Sequence, residues 1–242
     1  MKSYKLVIEY DGTQFVGWQT QQNGRSVQEE ITRVLEQVLQ ESISLIGAGR
    51  TDSGVHARGM VAGFSTNAST GTGSLLSSLN GILPDDILIH SVEEVPESFH
   101  ARFDARERMY RYYIALKRTA VGRQYHWHVR YALNVQAMED VARSIIGEYD
   151  FTAFCKFDPA IKNYISTVLA SSWTQSPTEL VYEIRANRFL HGMVRGLVGT
   201  MVDVGRGYTP VADFSKILES KDRREAGMAA PPHGLFLEEV VY

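Results

Sequence analysis

The chain has 242 residues, with 25 Lys and Arg against 28 Asp and Glu, a formal net charge of -3, and 44% hydrophobic residues. That length buries a real core as one large or two smaller domains, and no apolar run approaches the roughly 18 residues of a membrane span, so insertion into a membrane is not expected. Met1 runs straight into the strand-like Tyr4-Lys5-Leu6-Val7-Ile8-Glu9-Tyr10 without the basic and apolar regions of a signal peptide, and the single Cys155 has no companion for a disulfide or a zinc site. A reducing, cytoplasmic location is therefore expected.

Residues 4–10 lead through Asp11-Gly12-Thr13, a turn signal, into Gln14 to Gly24, which is rich in Gln and Gly and reads as a long loop. A helix starts at Ser26, whose hydroxyl caps the first backbone donors while Glu29 reaches back as a capping box; Val27, Ile31, Val34, Leu35, Val38 and Leu39 form its apolar stripe. A short strand, Ile43 to Ile46, precedes the glycine-rich run Gly47 to Gly59, and Met60 to Ser65 resumes extended structure. A short helix near Leu75 to Asn80 and a strand from Ile87 to Glu94 complete the first half.

The second half repeats that texture, with a strand from Met109 to Lys117 and a helix from Val135 to Ile146. Strands near Ile165 to Thr174 and Leu180 to Asn187 are separated by the hairpin signal Ser176-Pro177-Thr178. A helix from Leu190 to Val204 stops at Gly205 and Gly207, and a helix near Val211 to Glu219 and a last strand, Leu235 to Val241, follow. Long strands with hairpins beside separate helices indicate an α+β fold, not a doubly wound parallel sheet. Two halves of similar size hint at a duplicated unit.

The near-neutral net charge gives no global argument for nucleic acid, but the basic residues are unevenly placed. Arg102, Arg106, Arg108, Arg111, Lys117, Arg118, Arg123 and Arg130 face only Asp104 and Glu107 between His100 and Arg130. Phe103, Tyr110, Tyr112, Tyr113, Tyr125 and Trp127 are interleaved among them. Stacking on bases and plain core packing both account for these rings.

Gly47, Gly49, Gly54 and Gly59 place Arg50, Asp52 and His56 in one sharply turned loop. A dinucleotide fingerprint fails, because Asp52 stands where the third glycine of G-x-G-x-x-G belongs and a strand follows. No Gly-Lys-Ser/Thr of a P-loop is present. A structural turn competes with a chemical role for any glycine cluster; a carboxylate flanked by an arginine favours chemistry. His126-Trp127-His128 puts two imidazoles on one strand face but lacks a third ligand, so no metal is expected.

The stretch Gly49 to Ala57, G-R-T-D-S-G-V-H-A, closely resembles the active-site loop of the tRNA pseudouridine synthase A family. Further segments agree in order: E-Y-D-G-T-Q-F-V-G-W-Q, S-V-Q-E-E, F-H-A-R-F-D-A, R-M-Y-R-Y-Y, A-N-R-F-L-H-G-M-V-R-G-L-V-G and H-G-L-F-L. The resemblance spans essentially the whole chain. It implies two ferredoxin-like α/β halves, residues 1–103 and 104–242, in a pseudo-symmetric arrangement that forms a continuous antiparallel sheet with helices on one side and a central basic cleft. It also implies a homodimer acting on tRNA, with uridines 38, 39 and 40 of the anticodon stem-loop as targets.

Carried over by motif, Asp52 is the catalytic nucleophile, Tyr110 stacks on the target base, Arg195 pairs with the aspartate and Leu235 packs beneath the ring. Arg50 matches the residue associated with extruding the nucleotide, and Phe99, His100, Ala101, Arg102 and Phe103 match a strip that contacts RNA. Phe154 to Thr167 departs from the family pattern, in which a different polar loop with arginine stands. The isomerisation loses no atoms and transfers no electrons, so neither a cofactor nor a metal is expected. The residues also admit a noncatalytic RNA-binding or RNA-folding protein, whereas a zinc-dependent base hydrolase would need cysteine ligands this chain lacks.

Overall fold

Alternation explains the first strand, β1 (Lys2–Tyr10): in the computed structural model, which describes residues 1–242, Tyr4, Leu6, Ile8 and Tyr10 are buried while Lys5, Val7 and Glu9 are half-buried. Helix α1 (Val27–Leu39) starts as its sequence dictates, Ser26 Oγ accepting from the Glu29 amide at 3.4 Å. Val27, Ile31, Val34, Leu35 and Leu39 form its buried stripe, and Gln40 ends it with φ 56°. The strand β2 (Ile46–Gly47) is shorter and later than the expected Ile43 to Ile46, while β3 (His56–Thr66) begins earlier than expected. Helix α2 (Thr72–Ile82) and β4 (Ile87–Val95) follow. The sheet order β4-β1-β3-β2 with antiparallel pairing is that of the β-α-β-β-α-β ferredoxin-like unit.

The chain groups into two compact units, Met1–Arg106 with Phe236–Tyr242, and Glu107–Leu235. The second contains β5 (Glu107–Ala115), β6 (Trp127–His128), α3 (Val135–Ser144), β7 (Gly147–Asp150), β8 (Ile165–Gln175), β9 (Glu179–Ala186), α4 (Met193–Gly205) and α5 (Val211–Ser220). Its sheet runs β5-β9-β8-β7, antiparallel throughout, with β6 parallel on β5. β6 and β7 are only two and four residues long, too short to show a period in sequence. Helix α4 starts at Met193 instead of Leu190, because Gly192 sits at φ 74°, outside the helical region. Its apolar residues are buried on nearly all sides, so it forms the centre of this unit's core.

The last strand, β10 (Leu235–Val241), pairs in parallel with β3, Phe236 opposite His56 and Leu237 opposite Ala57. The α+β class holds, but the expected wholly antiparallel sheet is corrected to a mixed one. Parallel neighbours need a long connection, and α2, β4 and the whole second unit lie in the chain between β3 and β10.

Cys155 is 1% exposed, and burial pushes its thiol up to about 11. The shift favours the folded state below the ordinary thiol pKa of 9, and that contribution is lost as pH rises through 11. Because the thiolate is the reactive form, native protein at pH 8 is expected to resist iodoacetamide for a period in which guanidinium-unfolded chain is fully alkylated. Equal labelling rates would contradict this burial.

Candidate active site

The loop that carries Asp52 is fastened on both sides of that residue. Thr51 is buried; its hydroxyl lies 2.7 Å from the Tyr10 hydroxyl, and its carbonyl accepts from the Trp18 amide at 3.2 Å. The Asp52 carbonyl accepts from the Val55 amide at 3.1 Å, across a turn in which Gly54 has φ 76°. Phe15 supplies a carbonyl to both the Gly54 amide, at 3.3 Å, and the Ser53 hydroxyl, at 3.2 Å. Asp52 is left half-buried and Arg50 exposed on a backbone with little freedom.

The segment beneath the loop is Asp11 to Trp18, part of which the sequence reads as free loop. It is ordered instead: Asp11 caps a 3-10 turn at Gly12–Gln14, and Phe15 and Trp18 are each 2% exposed. Contact between the two segments is too close for ordinary side chains. A Cβ on Gly12 would lie 2.0 Å from the Val55 carbonyl oxygen, and one on Gly17, where φ is 115°, would lie 2.6 Å from the Thr51 carbonyl oxygen. Sequence reasoning missed this support; the visible signal was the apolar Phe15, Val16 and Trp18 inside a Gln- and Gly-rich stretch.

His56, placed by its sequence position in the chemical loop, is instead the first residue of β3 and 1% exposed. Its Nδ1 accepts from the Gly12 amide at 3.0 Å, and Asp11 Oδ1 lies 3.1 Å from the same nitrogen. The ring stacks on Phe236 at 4.5 Å. His56 therefore ties the supporting segment to β3. The Tyr10–Thr51 bond is the most exposed weakness of this arrangement to mutation: Tyr10→Phe leaves a buried hydroxyl unpaired, at a cost of about 1–2 kcal/mol. Calorimetry is expected to show a Tm lower by about 2–8 °C, and an unchanged Tm would show that this bond does not secure the loop.

The strip Phe99 to Phe103 lies elsewhere in the first unit. Phe99 packs on Tyr242 at 5.0 Å, and the Tyr242 hydroxyl donates to the Ala101 carbonyl at 2.7 Å. His100 Nδ1 accepts from the amides of Arg102 and Phe103, and its ring lies 4.3 Å from Phe103. Ala101 is 2% exposed, whereas Phe103 is 74% exposed with the Arg102 guanidinium over its ring.

In the second unit, Tyr110 sits on β5, 9% exposed and edge-on to Phe189 at 5.0 Å. Two residues along on the same face, Tyr112 is fully buried and donates to the Pro231 carbonyl at 2.8 Å. Burial drives its phenol pKa well up, and the nearby Arg195 charge opposes that push only in part. Arg195, in the first turn of α4, donates from Nε to the Ala230 carbonyl at 2.7 Å, and Ala230 returns its amide to the Arg195 carbonyl at 2.9 Å. Leu235, 5% exposed, follows the 3-10 turn Pro232–Gly234, whose glycine lies against the Tyr112 ring. One framework of β5, α4 and residues 230–235 thus holds Tyr110, Arg195 and Leu235. The candidate residues divide by unit, with Arg50, Asp52 and the 99–103 strip in the first and these three in the second.

The basic segment is less purely cationic than its composition suggests. Arg111 pairs with Glu183 at 2.8 Å across β5 and β9, and Arg185 with Glu107 at 3.2 Å. No group of three or more His, Cys, Asp or Glu side chains is gathered where a metal ion could sit, and no helix is long and apolar enough to cross a membrane. His126 contacts Glu179 at 2.6 Å.

The sequence model of the tRNA pseudouridine synthase family matches residues 6–104 and 141–242. A relative from Bacteroides thetaiotaomicron named tRNA pseudouridine synthase A is 42% identical over 245 residues, covering 100% of this chain and 91% of its own length. Relatives of the same name from a Thermoanaerobacter species and an Exiguobacterium species are 41% and 38% identical, with 100% of this chain and 100% and 98% of their own lengths covered. The family model runs through both units, over the Asp52 loop, α4 and the final strand, and the relatives match the whole chain, Tyr110 included: the chain belongs to the tRNA pseudouridine synthase family.

Proposed function

We propose that this chain isomerises uridine to pseudouridine in the anticodon stem-loop of tRNA, at positions 38, 39 and 40, with Asp52 as the catalytic nucleophile. The observation that carries the reading is the G-R-T-D loop, whose aspartate is half-buried on a backbone fixed by Tyr10, Phe15 and Trp18. The full-length relatives named tRNA pseudouridine synthase A support the substrate.

The reaction breaks the bond from ribose C1′ to uracil N1, turns the base, and joins C1′ to C5; a proton leaves C5 and N1 gains one, so the product is an isomer. The Asp52 carboxylate serves it by attacking sugar or base, or by removing a proton on the way to a glycal-like intermediate. Arg195 pairs with Asp52. The uridine leaves its stack at a cost of a few kcal/mol. Arg50 fills the vacated space, Tyr110 stacks on the extruded base at about 1–3 kcal/mol, and Leu235 packs beneath it. Phe99, His100, Arg102 and Phe103 contact the RNA, with Ala101 as their buried footing.

In this reading residues 1–103 bring the nucleophile and residues 104–242 the stacking tyrosine and paired arginine. The halves are pseudo-symmetric, share one continuous sheet with helices on one side, and flank a basic cleft. Support comes from strand order, since β9 lies between β5 and β8 as β3 lies between β1 and β2. The enzyme works in the cytoplasm as a homodimer holding one tRNA. Incubation with unmodified tRNA and mapping of pseudouridine by position tests the proposal; product confined to sites outside the anticodon arm would overturn the target assignment.

A further inference from the structure

The segment Phe154 to Thr167 is built around an apolar ring left in solvent. Phe157 is 70% exposed, and its ring runs nearly parallel to that of Tyr164, at 10° and 6.2 Å between centroids. Tyr164 is fixed in turn: its hydroxyl accepts from the Asp158 amide at 2.9 Å and donates to the Asp158 carbonyl at 2.8 Å. Asp158 also accepts from the Ile161 and Ala160 amides. A loop tied this closely holds the Phe157 ring open to solvent beside Tyr164.

The position of the loop gives the exposed ring its meaning. The Lys156 amide donates to the His191 carbonyl at 2.9 Å, and the Phe151 amide to the Tyr164 carbonyl at 3.0 Å. His191 is separated only by Gly192 from α4, whose first turn carries Arg195, and Phe189, two residues earlier, is the ring against Tyr110. Lys156, next in sequence to Phe157, and Lys162 of the same segment are exposed, and Asp158, the acid of this segment, has an oxygen occupied by the Ala160 amide. A preorganised aromatic face with flanking cations is the arrangement that binds an unpaired base and its phosphates.

We infer that Phe157 is a stacking platform for an unpaired base of the substrate tRNA, next to the framework that holds Tyr110 and Arg195. This rests on the tRNA reading above and adds a substrate-binding residue to it.

The test uses the full chain and an unmodified tRNA transcript, with Phe157→Ala and Phe157→Trp compared with the parent for Kd, KM and kcat. Phe157→Ala is expected to raise Kd and KM by about 5- to 150-fold, the range of a lost base–aromatic stack, with kcat within about threefold. Phe157→Trp keeps parental affinity, and the indole emission it adds to that of the three native tryptophans, read as the difference from the parent, is quenched as tRNA binds. Parental Kd and KM in Phe157→Ala, or an indole signal that saturating tRNA does not move, would overturn the platform. Should the alanine variant lose its fold, the tryptophan signal decides alone. A parent that binds tRNA but isomerises no uridine would sink the proposed function, and the binding measurements would still judge the platform.

Discussion

Asp52→Asn is expected to lower the rate of pseudouridine formation by about 10⁴-fold or more, while tRNA affinity stays within about threefold of the parent. Asparagine keeps the size of the side chain and removes its charge. The bonds that shape the loop survive the change, because Val55 binds the Asp52 backbone carbonyl and Tyr10, Phe15 and Trp18 bind neighbouring residues. A loss of rate therefore reports chemistry and not a misfolded loop. Tritium release from tRNA labelled at uracil C5 measures the rate, and filter binding measures the affinity. Equal turnover in variant and parent would end the claim for Asp52. Tight binding by both with product from neither would leave a noncatalytic RNA-binding protein.

Gly17→Ala is expected to destabilise the protein by about 2–4 kcal/mol and to slow the reaction by at least about tenfold. Two costs combine at this position. Alanine rarely adopts a φ of 115°, and its methyl would lie 2.6 Å from the Thr51 carbonyl oxygen, which is backbone and cannot swing aside. The displaced atom belongs to the residue before Asp52, and a shift of about 1 Å in a reacting group costs on the order of 100-fold. Thermal unfolding is expected at a Tm lower by roughly 4–16 °C. Gly49→Ala is the contrast: it stands in the signature loop itself, yet a Cβ there meets nothing within 4 Å and φ is not positive. Its Tm is expected to stay within about 2 °C of the parent. A more damaging Gly49→Ala than Gly17→Ala would mean that the segment beneath the loop does not position it.

Most regular elements were legible because their signals are local. Ser26 caps α1 from three residues away, β1 alternates at period two, and Ser176-Pro177-Thr178 turns β8 into β9. Short pieces were the hard ones: β7, four residues long, escaped, and β2 forms at Ile46–Gly47 and not at Ile43 to Ile46. Boundaries moved where one backbone conformation decided them, as Gly192 delays α4. The loop His56 seemed to share with Asp52 ends one residue before it, because the ring is needed under Gly12 and Phe236.

By itself the sequence determined the α+β class, the capped and amphipathic helices, and the loop around Asp52, since each depends on residues within a few positions of one another. Only the tertiary structure decided that β10 returns parallel to β3, that Phe15, Gly17 and Trp18 brace Asp52 from more than thirty residues upstream, and that Phe157 stands open on Tyr164. Those outcomes follow from burial, close backbone approach and hydrogen-bond satisfaction between distant segments, and no local period or propensity encodes which distant segment will supply the partner.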